Sequence, residues 1–196
     1  MTKIKKNKDV RYLNFPIALL SNFTKGEISR CFSLSKIMDY GLYYNSLMFD
    51  GYDPEIEDDF YSQSVCYLGL KIREDSMHDA EDRSFMNGLN LYEVYGDDKP
   101  MTGISVPVFL NYQDNHKTEF EDMCLLAFLA LKSIVQTKPY CKITNAYWLS
   151  RMAGFDTTQD VSQLPKSIQN FNTEYYLRKI KNELEDSWGM TWYGRY

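Results

Sequence analysis

The sequence predicts a mainly α-helical protein of the α+β class, built around one central buried helix. Three observations predict this class. The nine residues from Met123 to Leu131 carry no polar side chain, so a helix through them is apolar on every face and belongs inside a fold. Apolar residues recur at helical spacing through most of the remaining chain, whereas extended runs are few and short. Hydrophobic residues make up 44% of the chain and aromatic residues 15%, which supports a sizeable buried core.

The central helix is predicted over residues 118–137. Thr118 and Glu121 stand three residues apart and form a capping box, which satisfies two backbone N–H groups at the helix start. Lys132 falls near the predicted C-terminus, where the helix dipole favours a cation. Pro139 cannot continue the backbone hydrogen bonds, so the helix should end before it.

The N-terminal region, residues 1–117, is predicted to be helical and acidic. Thr24 and Glu27 predict a second capping box, which would open a helix that ends at about Phe49. Further helices are predicted over residues 60–72 and 76–95, the second with Gly88 as a weak point.

Extended structure is predicted at two prolines of the same region. Residues 12–20 contain Pro16 and should be extended, because the residue before a proline is steered away from the helical conformation. Residues 104–110 form a strand-like run that contains Pro107. A proline removes one hydrogen-bond donor, so this run is predicted to be an edge strand or an extended tether.

The net charge of −5 is unevenly distributed. Residues 1–49 contain 8 Lys or Arg against 3 Asp or Glu, residues 50–122 contain 5 against 18, and residues 123–196 contain 9 against 6. The acidic middle begins with a loop that carries five carboxylates: Asp53, Glu55, Glu57, Asp58 and Asp59. One interpretation is a solvated surface. The other is a surface that repels nucleic acid, or imitates it toward a basic partner protein.

The C-terminal region, residues 118–196, continues from the central helix with shorter elements. Its predicted elements are, in order, an extended piece at residues 140–143, a short helix capped by Thr144 or Asn145 and ended by Gly154, a helix over residues 172–187, and a strand-like tail over residues 190–196.

This order of elements resembles a winged helix-turn-helix. The resemblance is carried by residues 120–154, where the buried helix, the segment Lys142-Ile143-Thr144-Asn145 and the short helix Trp148-Leu149-Ser150-Arg151-Met152-Ala153-Gly154 look like the N-terminal half of such domains. The uncharacterised helix-turn-helix proteins of phages and mobile elements are the nearest kind. The pattern departs from theirs in a long connection between residues 154 and 172 and in a second wing strand that is short or missing. The predicted architecture is therefore a helical N-terminal region and a winged-helix-like C-terminal region around the central helix.

The helix predicted over residues 172–187 has two different faces. One face is an apolar stripe, and the opposite face carries two cations, an amide and an aromatic ring, which suit contacts to phosphates and base edges. A solvated helix face with snorkelling cations would show the same residues. The apolar stripe is Leu177, Ile180, Leu184 and Trp188, and the opposite face is Tyr175, Arg178, Lys179 and Asn182.

The resemblance implies a nucleic-acid-binding protein, with a role in regulation or replication of a phage or mobile element. DNA is then the expected partner, although Glu183, Glu185 and Asp186 bring negative charge to the same helix. The predicted nucleic-acid-binding residues are Tyr175, Arg178, Lys179 and Asn182, supported by Lys142, Arg151 and Arg195.

The alternative function is protein binding. In this hypothesis the chain is a phage-type inhibitor, similar to anti-CRISPR proteins, or another interaction module, and its acidic surface blocks a basic nucleic-acid-binding enzyme of the host. The acidic loop at residues 53–59 would then be the partner-binding site. Self-association into a homo-oligomer is left open.

Other classes of function lack support in the sequence. There is no Gly-rich phosphate loop, no G-x-S-x-G and no H-E-x-x-H, so no enzyme, catalytic residue or cofactor is predicted. The four cysteines are scattered and only His78 and His116 accompany them, so no metal site is predicted. No run approaches the roughly 18 apolar residues of a membrane span, and no secretory signal is visible, so a cytoplasmic location is expected.

Overall fold

The computed structural model describes residues 10–24, 30–72 and 79–193, which form a mainly α-helical fold with one small sheet. The strands are β1 (Tyr12–Pro16) and β2 (Met101–Ser105). The helices are α1 (Ser21–Thr24), α2 (Arg30–Ser46), α3 (Glu57–Leu68), α4 (Asp79–Tyr95), α5 (Val106–Asp114), α6 (Glu119–Val135), α7 (Asn145–Met152), α8 (Lys166–Gln169) and α9 (Glu174–Trp188). Short 3₁₀ turns lie at Ile17–Leu20, Pro54–Ile56 and Val161–Gln163.

Helix α6 is the central helix that the apolar run predicts. The predicted capping box is present, because the Thr118 hydroxyl accepts a hydrogen bond from the Glu121 N–H and the Glu121 carboxylate accepts one from the Thr118 N–H. Its residues from Met123 to Ala127 are all buried. None of the helices within the described ranges is both long and apolar enough to cross a membrane.

Neighbours pack on α6 from several sides. Strand β2 and helices α7 and α9 all contact it. Two of its carbonyl groups accept hydrogen bonds from these neighbours, from the Trp148 indole N–H to Ala127 at 3.0 Å and from the Thr102 hydroxyl to Leu129 at 2.7 Å. The core is therefore continuous across residue 118 and contains side chains from both the N-terminal and the C-terminal region.

The sheet joins two segments that lie far apart in the chain. Strands β1 and β2 are antiparallel, with Asn14 opposite Gly103, and Leu13 and Phe15 point into the core. The prediction of an extended run over residues 104–110 is wrong beyond Ser105, because α5 begins at Val106. Pro107 lies in the first turn of α5, where a backbone N–H would have no acceptor within the helix, so its absence costs no hydrogen bond.

Only one residue of the second predicted capping box is described. Thr24 is the last residue given for α1, and its hydroxyl donates to the Ser21 carbonyl at 2.9 Å. Glu27, the other half of that box, lies outside the described residues. Helix α2 ends at Ser46 and packs against α3, α4 and β1.

A buried carboxyl group links three helices of the N-terminal region. Asp39 on α2 is 7% exposed and accepts hydrogen bonds from the Ser84 hydroxyl at 2.5 Å and the Asn87 amide at 3.3 Å, both on α4. Tyr61 on α3 shares a 2.7 Å hydrogen bond with Ser84. Burial raises the pKa of Asp39 to about 6, although the two hydrogen bonds act in the opposite direction.

Gly88 lets α4 approach α2 closely. A Cβ atom at this position would lie 2.5 Å from the Asp39 carbonyl oxygen and 2.7 Å from the Tyr43 Cβ. The glycine that looked like a weak point for helix formation is therefore a contact point between two helices.

The C-terminal region follows the predicted order of helices but lacks the predicted strand. Thr144 caps α7 by accepting a hydrogen bond from the Tyr147 N–H, as predicted. After α9 the chain turns at Gly189, whose φ is +69°, and residues 190–193 form no strand. They run back along α9, where the Trp192 indole donates to the Lys181 carbonyl at 3.0 Å. Residues 194–196 of the predicted wing lie outside the described ranges.

Candidate functional site

The two predicted faces of α9 are present in the structure. Leu177, Ile180 and Leu184 are buried and hold the helix against the core. The residues of the opposite face are exposed, and they are Tyr175, Arg178, Lys179 and Asn182. Burial of one stripe fixes the rotation of the helix, so the predicted site residues share a solvent-facing surface.

These four residues divide between two sides of α9. Arg178 and Asn182 line a groove on one side. Lys179 lies on the other side, with its Nζ 4.3 Å from the centre of the Phe120 ring at the start of α6. Tyr175 is 60% exposed and makes an edge contact with Tyr176 at a centroid distance of 5.2 Å.

The groove has a volume of about 500 Å³ and is bounded by α9, the start of α7 and the segment after α9. Its polar lining is rich in amides and cations, with an indole ring at one side. Trp192 is held by its hydrogen bond to Lys181 and by contact with Trp148 at a centroid distance of 5.5 Å. The polar and aromatic lining consists of Asn145, Asn172, Glu174, Arg178, Lys181, Asn182, Glu185 and Trp192.

Charge changes sign along α9. Residues 174–182 contain Arg178, Lys179 and Lys181 against one acid, Glu174, whereas residues 183–188 contain three acids and no cation. None of these side chains forms a salt bridge with another described residue. Helix stability favours acids near the N-terminus and cations near the C-terminus. Beyond Glu174, this charge order is the reverse of the one that would stabilise the helix.

The three supporting residues have different positions. Lys142 is exposed on the segment before α7. Arg151 is only 7% exposed, and its Nε and Nη2 donate to the Tyr147 hydroxyl at 2.9 and 2.5 Å, so its prediction as a nucleic-acid contact is wrong. Arg151 and Tyr147 are four residues apart on one face of α7, and this pairing turns the guanidinium inward. Arg195 lies outside the described residues.

Sequence reasoning missed four residues of the groove. Lys181 lies three residues after Arg178 on the same helix face, so the helical period alone could have found it. The sequence pattern marks Asn145 only as a possible helix cap and Asn172 only as the start of a helix. It predicts a strand at Trp192, and only the tertiary structure places this residue beside α9.

The acidic loop is exposed for the most part. Asp53, Glu55, Asp58 and Asp59 face solvent, and none of them pairs with a Lys or Arg of the described chain. Glu57 differs, because it is half-buried and accepts hydrogen bonds from the hydroxyls of Tyr43 and Tyr52. Burial, followed by the bond to Glu57, raises the pKa of Tyr52 to about 12. Glu57 therefore has a structural role, and the other four carboxylates form an uncompensated acidic surface together with the exposed Ile56.

No protein-family model, curated protein or solved structure matches the chain. Within the described ranges, no three His, Cys, Asp or Glu side chains lie close enough to share a metal ion. The similarity of the C-terminal region to winged helix-turn-helix proteins stays a prediction from its sequence pattern.

Proposed function

We propose that this protein binds nucleic acid through the N-terminal half of α9 and the adjoining groove, in regulation or replication of a phage or mobile element. One observation carries the proposal. Two cations, three carboxamides and an indole ring converge on a single groove, beside the two carboxylates of Glu174 and Glu185. The cations, carboxamides and indole are those of Arg178, Lys181, Asn145, Asn172, Asn182 and Trp192.

Each of these groups suits one part of a nucleic acid. Arg and Lys side chains contact phosphates and supply most of the affinity, whereas Asn side chains form paired hydrogen bonds with adenine edges. The exposed ring of Tyr175 and the indole of Trp192 offer faces on which an unpaired base can stack. Helix-turn-helix proteins also contact base edges with the N-terminal residues of their recognition helix. In α9, the N-terminal half is the half that carries the cations.

The charge order of α9 supports the same proposal. Three cations stand together at residues 178–181, although a helix gains no stability from cations in this half. The acids that follow would keep a polyanion away from the C-terminal half. A nucleic acid would therefore contact α9 at one end only.

Fluorescence anisotropy with labelled duplex and single-stranded DNA tests the proposal. The variant Arg178→Gln/Lys181→Gln removes both groove cations, together with the contacts of the Lys181 Nζ with the Trp148 and Trp192 rings, and keeps most of each aliphatic stem. The control is Lys71→Gln/Lys99→Gln, which removes the same charge from exposed positions in the acidic half. We expect at least tenfold weaker binding for the groove variant and unchanged binding for the control.

Two results would contradict the proposal. One is a wild-type affinity no tighter than about 10⁻⁴ M at low salt, which lies below ordinary non-specific binding. The other is an equal loss of affinity in both variants, which would show a general charge effect without a site on α9.

A second function is favoured by the acidic surface alone. We propose that Asp53, Glu55, Asp58 and Asp59 attract a basic protein partner, since none of these exposed carboxylates is neutralised by a described neighbour. Changing the four to Asn or Gln should leave the melting temperature within a few degrees and slow association with a basic partner recovered from host cells. Association kinetics that do not change, at low or high salt, would exclude this surface from the interface.

A further inference from the structure

A second cavity of about 450 Å³ lies against the exposed face of the sheet, on elements that the groove at α9 does not use. Its walls come from four elements, and residues 101–103 of β2 form one of them. Tyr12 and Asn14 belong to β1, Tyr44 to α2, and Lys132 and Gln136 to the C-terminal end of α6. One cation and two carboxamides line this cavity, and no carboxylate of the described residues does.

Lys132 brings a positive charge into the cavity. Its Nζ donates to the Gly103 carbonyl at 2.6 Å and lies 4.1 Å from the centre of the Tyr12 ring. Burial lowers the pKa of Lys132 to about 8, and no carboxylate in the described part of the chain forms a salt bridge with it. The contact with Gly103 ties α6 to the sheet, but one carbonyl and one ring do not balance a half-buried ammonium charge. An anionic ligand would balance it.

Gln136 lines the same cavity in an unusual backbone conformation. It is the C-cap of α6, with φ of 49° and ψ of −117°, and it is the one non-glycine residue of the described ranges with a positive φ. Strained backbone persists only where the surrounding structure holds it, and it is concentrated at ligand sites. Gln136 thus adds a second carboxamide to the cavity lining that contains Asn14, and both amides can donate N–H groups.

Gly103 leaves room for the Asn14 side chain at the cavity wall. It stands directly opposite Asn14 in the sheet, and a Cβ at Gly103 would lie 2.5 Å from the Asn14 side-chain oxygen. Only a glycine lets the Asn14 amide lie across the neighbouring strand. A larger residue would push this amide away from its present position at the cavity wall.

We propose that this cavity binds a small organic acid, with its carboxylate or phosphate group at Lys132, Asn14 and Gln136 and its flat body against the rings of Tyr12 and Tyr44. The volume lies in the range of about 300–1,000 Å³ that is usual for small-molecule sites. This site is independent of the proposed nucleic-acid surface, since the two share no lining residue.

Calorimetric titration with benzoate, phenyl phosphate, inorganic phosphate and benzamide tests the proposal. Benzamide has the shape of benzoate without its charge, and inorganic phosphate has the charge without the flat body. We expect saturable binding of benzoate or phenyl phosphate, with a dissociation constant on the order of 1 mM or tighter. Benzamide and inorganic phosphate should bind at least tenfold more weakly. The stronger of the two acids identifies the anionic group that the site selects.

Two variants assign the binding to this cavity. Lys132→Met removes the charge, and Lys138→Met is its control, an exposed lysine that does not line the cavity. Gly103→Ala leaves Lys132 in place and displaces Asn14, so it tests the site even if the Lys132 variant fails to fold. Both cavity variants should weaken binding at least tenfold, and the control should not change it. Binding that survives both variants, equal binding of benzamide or of inorganic phosphate, or no saturable binding of either acid would overturn the proposal.

Discussion

Asp39 shows how a single buried group makes stability depend on pH. Its folded-state pKa of about 6 exceeds the ordinary value of 3.8, so the folded protein holds this proton more tightly than the unfolded chain does. The contribution of Asp39 to stability is therefore complete below pH 4 and is lost as the pH rises to 6. A difference of two in pKa corresponds to about 3 kcal/mol in the free energy of unfolding.

Asp39→Asn should remove this pH dependence. An uncharged amide keeps an oxygen for the Ser84 hydroxyl and has no proton to lose, so the variant should gain stability relative to wild type between pH 4 and pH 7. The measurement is the free energy of unfolding in urea for both proteins at pH 4 and at pH 7. The difference in stability between Asp39→Asn and wild type should change by about 2–3 kcal/mol between the two pH values. Asp59→Asn, on the exposed side of α3, is the control. A difference between Asp39→Asn and wild type that is equal at both pH values would contradict this account.

Single residues also show which parts of the site the sequence could predict. The helical period separates Arg178 and Asn182 from the buried stripe and predicts that both are exposed, which the structure shows, while their contact with nucleic acid stays a prediction. Arg151 was wrongly predicted because a charged residue is usually exposed, and the Tyr147 hydroxyl that draws it inward cannot be recognised by composition. Trp192 was missed because its contact with Lys181 depends on the turn at Gly189, which brings the two residues together.

At the scale of elements, local signals identified helices well and strands poorly. The box formed by Thr118 and Glu121 marks the start of α6 because both partners lie within one turn. Pro107 suits an edge strand and also the first turn of a helix, and the sequence does not choose between them. The pairing of β1 with β2 joins segments about ninety residues apart, which no local pattern could predict.

The contact between α2 and α4 reverses the sign of the stability change that the sequence alone predicts for Gly88→Ala. Helix propensity predicts that Gly88→Ala stabilises α4 by about 1 kcal/mol. The new Cβ would instead lie 2.5 Å from the Asp39 carbonyl oxygen, which is backbone and cannot move freely. We expect a net loss of about 1–3 kcal/mol from overpacking, measured as the free energy of unfolding in urea.

Asn90→Ala is the matched control, because it adds helix propensity at an exposed position of α4. It should leave stability unchanged or raise it slightly. A Gly88→Ala protein as stable as wild type would show that α4 does not approach α2 so closely.

At the scale of the whole molecule, one core connects regions that differ in charge. Helix α6 lies between the β2 strand of the acidic half and the α7 and α9 helices of the more basic half. The boundary predicted at residue 118 is the start of the central helix, close to the change in charge after residue 122, and the core continues across it. Charge is read directly from the sequence, whereas the continuity of the core depends on packing that only the structure shows.

A shared core should unfold as one unit. Leu126 is 1% exposed in the middle of α6, so Leu126→Ala should cost about 2–5 kcal/mol. All three tryptophans lie after residue 118, so their fluorescence reports the C-terminal region, while far-UV circular dichroism reports every helix. Both probes should show one transition, shifted equally by the variant. Two separate transitions, with only the fluorescence shifted, would show that the halves fold independently.

The salt dependence of DNA binding tests the central claim most directly. Each phosphate contact adds about 0.9 to the slope of log affinity against log salt concentration. If Arg178 and Lys181 contact phosphates, Arg178→Gln/Lys181→Gln should reduce the magnitude of the slope by about 1–2, while Lys71→Gln/Lys99→Gln leaves it unchanged. The slope is measured from anisotropy titrations at several salt concentrations with proteins of equal melting temperature. A slope that is the same for wild type and the groove variant would contradict the proposal that this face of α9 binds nucleic acid.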